Sequence, residues 1–157
     1  MVLKAEPLTS AAFLPFGEVI ECPAMPGRTY FEDALSSLRP AARPSISLTV
    51  KHEVAALPLR STTMERHEFS SQSFIPQEAG RWLVIVAPHD AAGGPDMARA
   101  RAFLAGPRQG VTFGADVWHH PFTILDGPAR FVIVMWRDGT QGDEEFVEVP
   151  EFSVDLP

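Results

Sequence analysis

The expected fold is decided by the stretch Met64-Glu65-Arg66-His67-Glu68-Phe69-Ser70-Ser71-Gln72-Ser73-Phe74-Ile75-Pro76. From residue 64 to residue 69 polar and apolar residues alternate, which is the two-residue period of a β-strand with one buried face. On that alternation Glu65 and His67 lie on the same face. Gln72 follows after a short Ser-Ser turn, so we expect a carboxylate, an imidazole and an amide oxygen to converge.

A later segment, residues 110–121, supplies the second part of the candidate site and ends in Trp118-His119-His120-Pro121. If this segment lies beside the first, a second histidine reaches the face that carries Glu65 and His67. Adjacent strand residues point to opposite faces, so only one histidine of the pair can do so. We expect that histidine to be His119, and we expect His120 to make a structural hydrogen bond near Pro121. Such a set of side chains suits proton transfer or an N/O-ligated metal ion.

Composition limits the class of protein. A length of 157 residues fits one domain spanning residues 1–157, and a hydrophobic content of 45% suffices for a core. The formal net charge of −7 argues against a nucleic-acid partner, because domains that bind phosphate backbones usually carry a basic face. The single cysteine, Cys22, excludes an intramolecular disulfide.

We expect neither membrane insertion nor export. No stretch approaches the roughly 18 consecutive apolar residues of a membrane span. The first residues lack the long apolar run of a signal peptide. We therefore expect a cytoplasmic protein with no membrane partner.

Short segments separated by turn residues predict a mainly β structure. The 15 prolines and 11 glycines divide the chain into pieces typical of an all-β sandwich or barrel. A substantial helix is predicted at residues 95–104, because Pro95 stands at its start and Gly106-Pro107 follows it. Shorter helical turns are expected at residues 8–13 and 30–38. The predicted strands are residues 16–21, 46–52, 62–69, 81–87, 117–125, 130–136 and 145–149.

The spacing Glu65-x-His67-x4-Gln72, followed by Gly80, Gly110 and His119, resembles the two-part motif of the cupins. Within that superfamily the chain is most similar to the ureidoglycolate lyases. The resemblance implies a mainly all-β, cupin-type double-stranded β-helix or jelly-roll barrel with one or two short helices. The resembling pieces are Leu57-Pro58-Leu59, Glu65-Arg66-His67, Gln72-Ser73-Phe74-Ile75-Pro76, Leu83-Val84-Ile85-Val86-Ala87, Arg101-Ala102-Phe103-Leu104, Gln109-Gly110-Val111 and Trp118-His119-His120-Pro121.

The resemblance also implies an activity. Members of this family are amidine-lyases that split ureidoglycolate into glyoxylate and urea during allantoin degradation in purine metabolism. On that basis the expected catalytic residues are Glu65, His67 and His119, and the expected partners are a small ureido or hydroxy acid and a second copy of the chain in a homodimer. The residues expected to bind substrate are Lys51, Arg66, Gln72, Trp118 and Arg137.

A metal ion is a further implication of the resemblance. The expected ligands are Glu65, His67, Gln72 and His119, around one divalent ion. Mixed N/O ligands suit nickel, manganese, iron or zinc. No organic cofactor is expected.

The chain departs from the family pattern at three places. Residues 28–44 do not match the Asn- and Gly-containing stretch ending in Arg and His that members usually carry; Lys51 stands where Arg is frequent, and Trp136-Arg137 replaces Asp-Arg. These departures leave two alternatives open: a cupin enzyme for another small hydroxy or keto acid, and a non-catalytic cupin that binds a small acid. The two histidines and Glu65 favour an enzyme, because a pure binder needs no acid–base pair.

Overall fold

The computed structural model describes residues 1–157 and consists almost entirely of β-strands. The helical segments are α1 (Ser10–Phe13) and one 3₁₀ turn (Met97–Arg99). No helix is long and apolar enough to cross a membrane. The strands are β1 (Val2–Lys4), β2 (Glu6–Pro7), β3 (Gly17–Ile20), β4 (Arg43–Lys51), β5 (Leu59–His67), β6 (Gln72–Glu78), β7 (Trp82–Ala87), β8 (Arg101–Ala105), β9 (Gly110–Phe113), β10 (Trp118–His119), β11 (Thr123–Ile124), β12 (Ala129–Arg137) and β13 (Glu144–Asp155).

Two sheets form a nearly closed barrel. The larger sheet has the order β1-β13-β5-β10-β7-β8-β2, with β11 also paired to β7, and the smaller sheet has the order β3-β9-β6-β12-β4. Strand pairs are mostly antiparallel, and β10 lies between β5 and β7. The mainly β, cupin-type barrel expected from the sequence is confirmed.

Two apolar cores hold the sheets in place. The first lies between the sheets and includes Phe74 from β6 and Val84 from β7. The second covers the other face of the larger sheet and includes Met64, Ile85 and Trp118. The strand predicted at residues 81–87 is confirmed as β7, and every residue of it is buried, so it is covered on both faces. Burial of one large apolar side chain contributes about 1.5–3 kcal/mol, so the two cores are the main stabilising contribution.

The prediction of a helix at residues 95–104 is wrong. Only Met97–Arg99 forms a 3₁₀ turn, and β8 follows it, paired with β7 on one side and with β2 on the other. Phe103 enters the core between the sheets while Ala102 enters the second core. A strand between two neighbours satisfies its backbone and places alternate side chains in two cores, and this tertiary gain exceeds the helix propensity of Ala and Arg.

Two smaller predictions also differ from the structure. Residues 30–38 form no helix, and Ser37 instead makes a β-bridge to Ser70. The strand predicted at residues 117–125 is divided into β10 and β11. Pro121 lies between them, and a proline has no N–H with which to continue a ladder.

Candidate active site

Strands β5, β6 and β10 bring three polar side chains together inside the barrel. His119 on β10 lies directly opposite Glu65 on β5, and Gln72 is the first residue of β6. The Nε2 atom of His119 is 3.3 Å from Oε1 of Glu65 and 3.2 Å from Oε1 of Gln72. All three side chains are buried. The structure therefore shows the proximity that the sequence only suggested.

The ring of His119 is held in one orientation. Its Nδ1 lies 2.9 Å from the carbonyl oxygen of Val117, which can only accept, so Nδ1 carries a proton. The ring stacks on Phe113 with centroids 4.1 Å apart and planes 10° apart. The amide Nε2 of Gln72 donates to Sδ of Met135, which turns its Oε1 toward His119.

Two oxygen acceptors therefore surround Nε2 of His119. A neutral ring with its proton on Nδ1 would place three lone-pair atoms against one another in a buried site. A positive centre between them, either a proton on Nε2 or a metal ion, relieves this repulsion. The arrangement is accordingly suited to a proton or a metal ion at this position.

His67 faces the same site and is unsatisfied. Its side chain is 3% exposed, and its ring centroid is 5.9 Å from that of His119. The buried Nε2 has no hydrogen-bond partner, and the nearest carboxylate oxygen to Nδ1 is Oδ2 of Asp143 at 3.9 Å. Burial, and next the neighbouring His119, lower the pKa of His67. A neutral buried imidazole without a partner is suited to accept a proton or bind a ligand.

Asp143 and Arg39 fix the end of the barrel next to His67. The carboxylate of Asp143 accepts from the backbone N–H of Phe69 at 2.7 Å, from the Ser70 hydroxyl, and from Nη2 of Arg39 at 3.3 Å. Arg39 also pairs with Asp138 at 2.8 Å and donates to a backbone carbonyl of β12. The sequence analysis missed both residues, because contacts between residues so distant along the chain leave no local pattern.

The segment that departs from the family pattern, residues 28–44, contacts the site indirectly. It carries Arg39, and it hydrogen bonds to the turn between β5 and β6: Leu38 N donates to Phe69 O, and Ser71 N donates to Ser36 O. The segment thus supports the turn that separates His67 from Gln72.

One cation expected to bind substrate lies beside His67. Arg137, the last residue of β12, lines a cavity of about 170 Å³ together with His67, Met135 and Asp143. Arg137 makes no ion pair within the chain. Its guanidinium is therefore free to receive an anionic group.

Two other residues expected to bind substrate lie away from the site. Arg66 and Trp118 are on the opposite face of the larger sheet from Glu65 and His119, because each is adjacent in sequence to a residue that points inward. Arg66 pairs with Asp116 at 2.7 Å and lies 4.6 Å over the ring of Trp118, which belongs to the second core. Their predicted contact with substrate is not supported by these positions.

Lys51 and His120 have partners of their own. Lys51 donates to the carbonyl oxygen of Phe122 and lines a separate cavity of about 230 Å³. His120 lies with Nε2 2.9 Å from the Ser61 hydroxyl and Nδ1 2.9 Å from the carbonyl of Pro121, which is the structural role predicted for it.

The donor set partly fits a divalent metal ion. Nitrogen and oxygen ligands lie about 2.0–2.2 Å from such an ion, so two ligands of one ion lie about 3.0–3.5 Å apart. The spacings from His119 to Glu65 and to Gln72 fall in this range. His67 offers an unpartnered Nε2 nearby. The structure contains no preformed group of three His, Cys, Asp or Glu side chains around one metal position.

The cleft near β3 and α1 is larger but lacks histidine. It measures about 520 Å³ and is lined by residues such as Phe16, Glu18 and Asp33. No residue of the candidate site borders it, so the chemistry is assigned to the His67 end of the barrel.

Comparisons with known proteins identify the family of this chain. Residues 1–155 match the family model described as ureidoglycolate lyase. A ureidoglycolate lyase of Azotobacter vinelandii is 37% identical over 155 residues, covering 92% of each chain. A ureidoglycolate lyase of Brucella ovis is 39% identical over 140 residues, covering 84% of this chain and 81% of that one. A dTDP sugar isomerase structure from Desulfovibrio desulfuricans G20 has a TM-score of 0.45 at 17% identity, covering 86% of this chain and 82% of that one.

The family match spans nearly the whole chain, and the two named relatives exceed one third identity over most of their length. The chain belongs to the ureidoglycolate lyase family.

Proposed function

We propose that this protein is a lyase that cleaves ureidoglycolate to glyoxylate and urea. Family membership supports the substrate. The observation that carries the chemistry is the buried pair His67 and His119, of which one nitrogen is unpartnered and the other faces two oxygens. The alternatives, another small acid as substrate or a pure binding role, gain no support from these findings.

The reaction is the collapse of a hemiaminal. A base takes the proton from the hydroxyl on the reacting carbon, the C–N bond to the ureido nitrogen breaks, and the hydroxyl oxygen becomes the aldehyde of glyoxylate. The electron pair of the broken bond stays on nitrogen, which accepts a proton and leaves as urea. No atom is oxidised or reduced overall, so the step requires no organic cofactor.

The site residues divide these roles. His67 is a suitable base because burial keeps it neutral, and Glu65 is the alternative base. His119 is a suitable acid because its Nε2 lies 3.3 Å from Oε1 of Glu65 and 3.2 Å from Oε1 of Gln72. Positioned groups of this type contribute roughly 10²–10⁴-fold each to the rate.

As an alternative use of the same side chains, we propose that Glu65, His67, Gln72 and His119 hold one divalent ion, for which nickel, manganese, iron and zinc are candidates. A histidine nitrogen that ligates this ion would not transfer a proton. When bound, such an ion would polarise the substrate hydroxyl and lower its pKa. The two spacings at His119 and the unpartnered nitrogen of His67 support this extension.

The proposal includes a homodimer, acting in the cytoplasm in allantoin breakdown. β4 is one of the two edge strands of the smaller sheet. Its outward side chains Ile46, Leu48 and Val50 are 73%, 69% and 53% exposed, whereas its inward side chains are polar. This inverted pattern and the open edge favour a second copy covering β4.

Replacement of either histidine should remove most of the activity. We expect His67→Ala and His119→Ala each to lower kcat by roughly 10²–10⁴-fold, because a proton-transfer group is lost. Glyoxylate and urea would be followed by NMR with racemic ureidoglycolate, and circular dichroism would verify folding. His52→Ala, at an exposed histidine, is the matched control. Near-normal turnover in both site variants would remove this assignment.

The stability of the protein should fall on mild acidification. Because the pKa of His67 is lowered in the folded state, the unfolded chain takes up a proton first, near pH 6.5, and stability is lost as the pH falls below that value. The pKa of His120 is lowered by burial too and acts in the same direction. We expect the thermal midpoint to decline between about pH 6.5 and 5, above the range in which carboxylates titrate. A flat midpoint over this window, measured by calorimetry, would contradict the neutral state of these histidines.

Gln72→Ala should weaken metal retention, because it removes one oxygen donor. The measurement is metal per chain by inductively coupled plasma mass spectrometry, after loading with nickel, manganese, iron or zinc and dialysis. Gln77→Ala, at an exposed glutamine on the same strand, is the control. If Gln72→Ala retains as much metal per chain as the wild-type protein, Gln72 is not a ligand. If the wild-type protein retains no metal after loading, the proposed metal site is wrong.

Leu48→Arg should convert the dimer into a monomer, because a charge would be buried in the apolar contact. Light scattering at working concentration gives the mass. Leu14→Arg, at a leucine 75% exposed outside β4, should remain dimeric. A monomeric wild-type protein would rule out the homodimer, and a dimeric Leu48→Arg would place its interface elsewhere.

A further inference from the structure

Two arginines face each other across neighbouring strands. In the antiparallel register of β4 and β12, Arg43 is directly opposite Arg137. Like charges in this position destabilise a strand pair. Nevertheless neither arginine forms an ion pair or a side-chain hydrogen bond, in a chain with 20 acidic and 13 basic residues. The arginines that do form ion pairs with carboxylates are Arg39, Arg60, Arg66, Arg81, Arg99, Arg101 and Arg130.

The arginine pair lies at the solvent-exposed end of the inward face of the smaller sheet. Residues directly opposite on paired strands share a face, and alternate residues of one strand share it too. Phe131 on β12 is fully buried in the core between the sheets, so Met135 and Arg137 continue the same inward row. Arg43 follows the same row on β4.

This row leads to the candidate site. The Sδ atom of Met135 accepts from Gln72 Nε2, and Gln72 contacts His119. Arg137 lines the cavity of about 170 Å³ that His67 also lines. The arginine pair is therefore at the end of the barrel that holds the unpartnered histidine.

The acidic residues nearby do not neutralise the pair. Asp143 accepts hydrogen bonds from Phe69, Ser70 and Arg39, and Asp138 pairs with Arg39. Glu144 also lines the cavity but forms no ion pair. No ion pair within the chain therefore supplies a counter-charge to Arg43 or Arg137.

We propose that Arg43 and Arg137 together bind the carboxylate of the substrate. This inference rests on the proposed function, in which the substrate is a small acid with one anionic group. A planar guanidinium donates two parallel hydrogen bonds to a carboxylate. Two guanidinium groups can bind one carboxylate by sharing its oxygen atoms. The bound carboxylate relieves the repulsion between the arginines, and it places the adjacent reacting carbon toward His67. Arg43 is thus a substrate-binding residue that selects small acids by their carboxylate.

The test separates binding from structure. In Arg43→Gln and Arg137→Gln we expect KM for ureidoglycolate to rise roughly tenfold or more with kcat changed little, because a ground-state contact is lost. The thermal midpoint should stay constant or rise, since the repulsion is removed. Arg43→Glu offers Arg137 a carboxylate of the chain, so it should raise the midpoint further and abolish binding of glyoxylate. Arg60→Gln, at an exposed arginine paired with Glu151, is the control and should leave KM unchanged.

Glyoxylate binding by isothermal titration calorimetry makes the outcome independent of turnover. If Arg43→Gln cleaves ureidoglycolate with the wild-type KM and binds glyoxylate with the wild-type affinity, the proposed role of the arginine pair in substrate binding is wrong. The proposed lyase activity would remain supported in that case. Glyoxylate binding that depends on Arg43, without any cleavage, would support the pair and overturn the proposed function. A lowered thermal midpoint with unchanged glyoxylate affinity would make Arg43 a structural residue only.

Discussion

The antiparallel contact between β5 and β10 is the constraint on which the site depends. It lies in the middle of the larger sheet and places His119 opposite Glu65. Because the Nδ1 proton of His119 is donated to a backbone carbonyl, its Nε2 has to face the two oxygens inside the barrel. A polar centre in a low-dielectric interior follows directly from this strand register.

The two faces of the larger sheet have different roles: one carries the polar site and the other packs against the second core. Residues of β5 and β10 that point inward carry the polar site, whereas their sequence neighbours point into the second core. Arg66 over Trp118 is on that second side, where it is paired with acidic residues. Because side chains alternate along a strand, adjacent polar residues lie on opposite faces of the sheet. One contributes to the candidate site and the next packs on the second core.

The distribution of cations follows the same logic in the smaller sheet. Arg39 forms ion pairs with Asp143 and Asp138. Because Asp143 accepts hydrogen bonds from the turn before Gln72, Arg39 and the segment 28–44 that carries it help to hold that turn. Arg137 and Arg43 are left without partners at the end of the inward row. An acidic protein that keeps two opposed cations in this position is electrostatically prepared for an anionic ligand.

The sequence by itself determined the mainly β barrel, most of its strands and the shared face of Glu65 and His67, because these depend on a two-residue period. It only suggested the convergence of His119 with Glu65 and Gln72, because that contact joins strands that are distant along the chain. It failed at residues 95–104, where pairing with β7 and β2 outweighed local helix preference. The alternation along β5 already places Arg66 on the face opposite Glu65, but the sequence could not show the contacts of Arg39 and Asp143 or the position of Arg43 opposite Arg137. Only the tertiary structure decided these, because the partner and the direction of a side chain are set by strands that are distant along the chain.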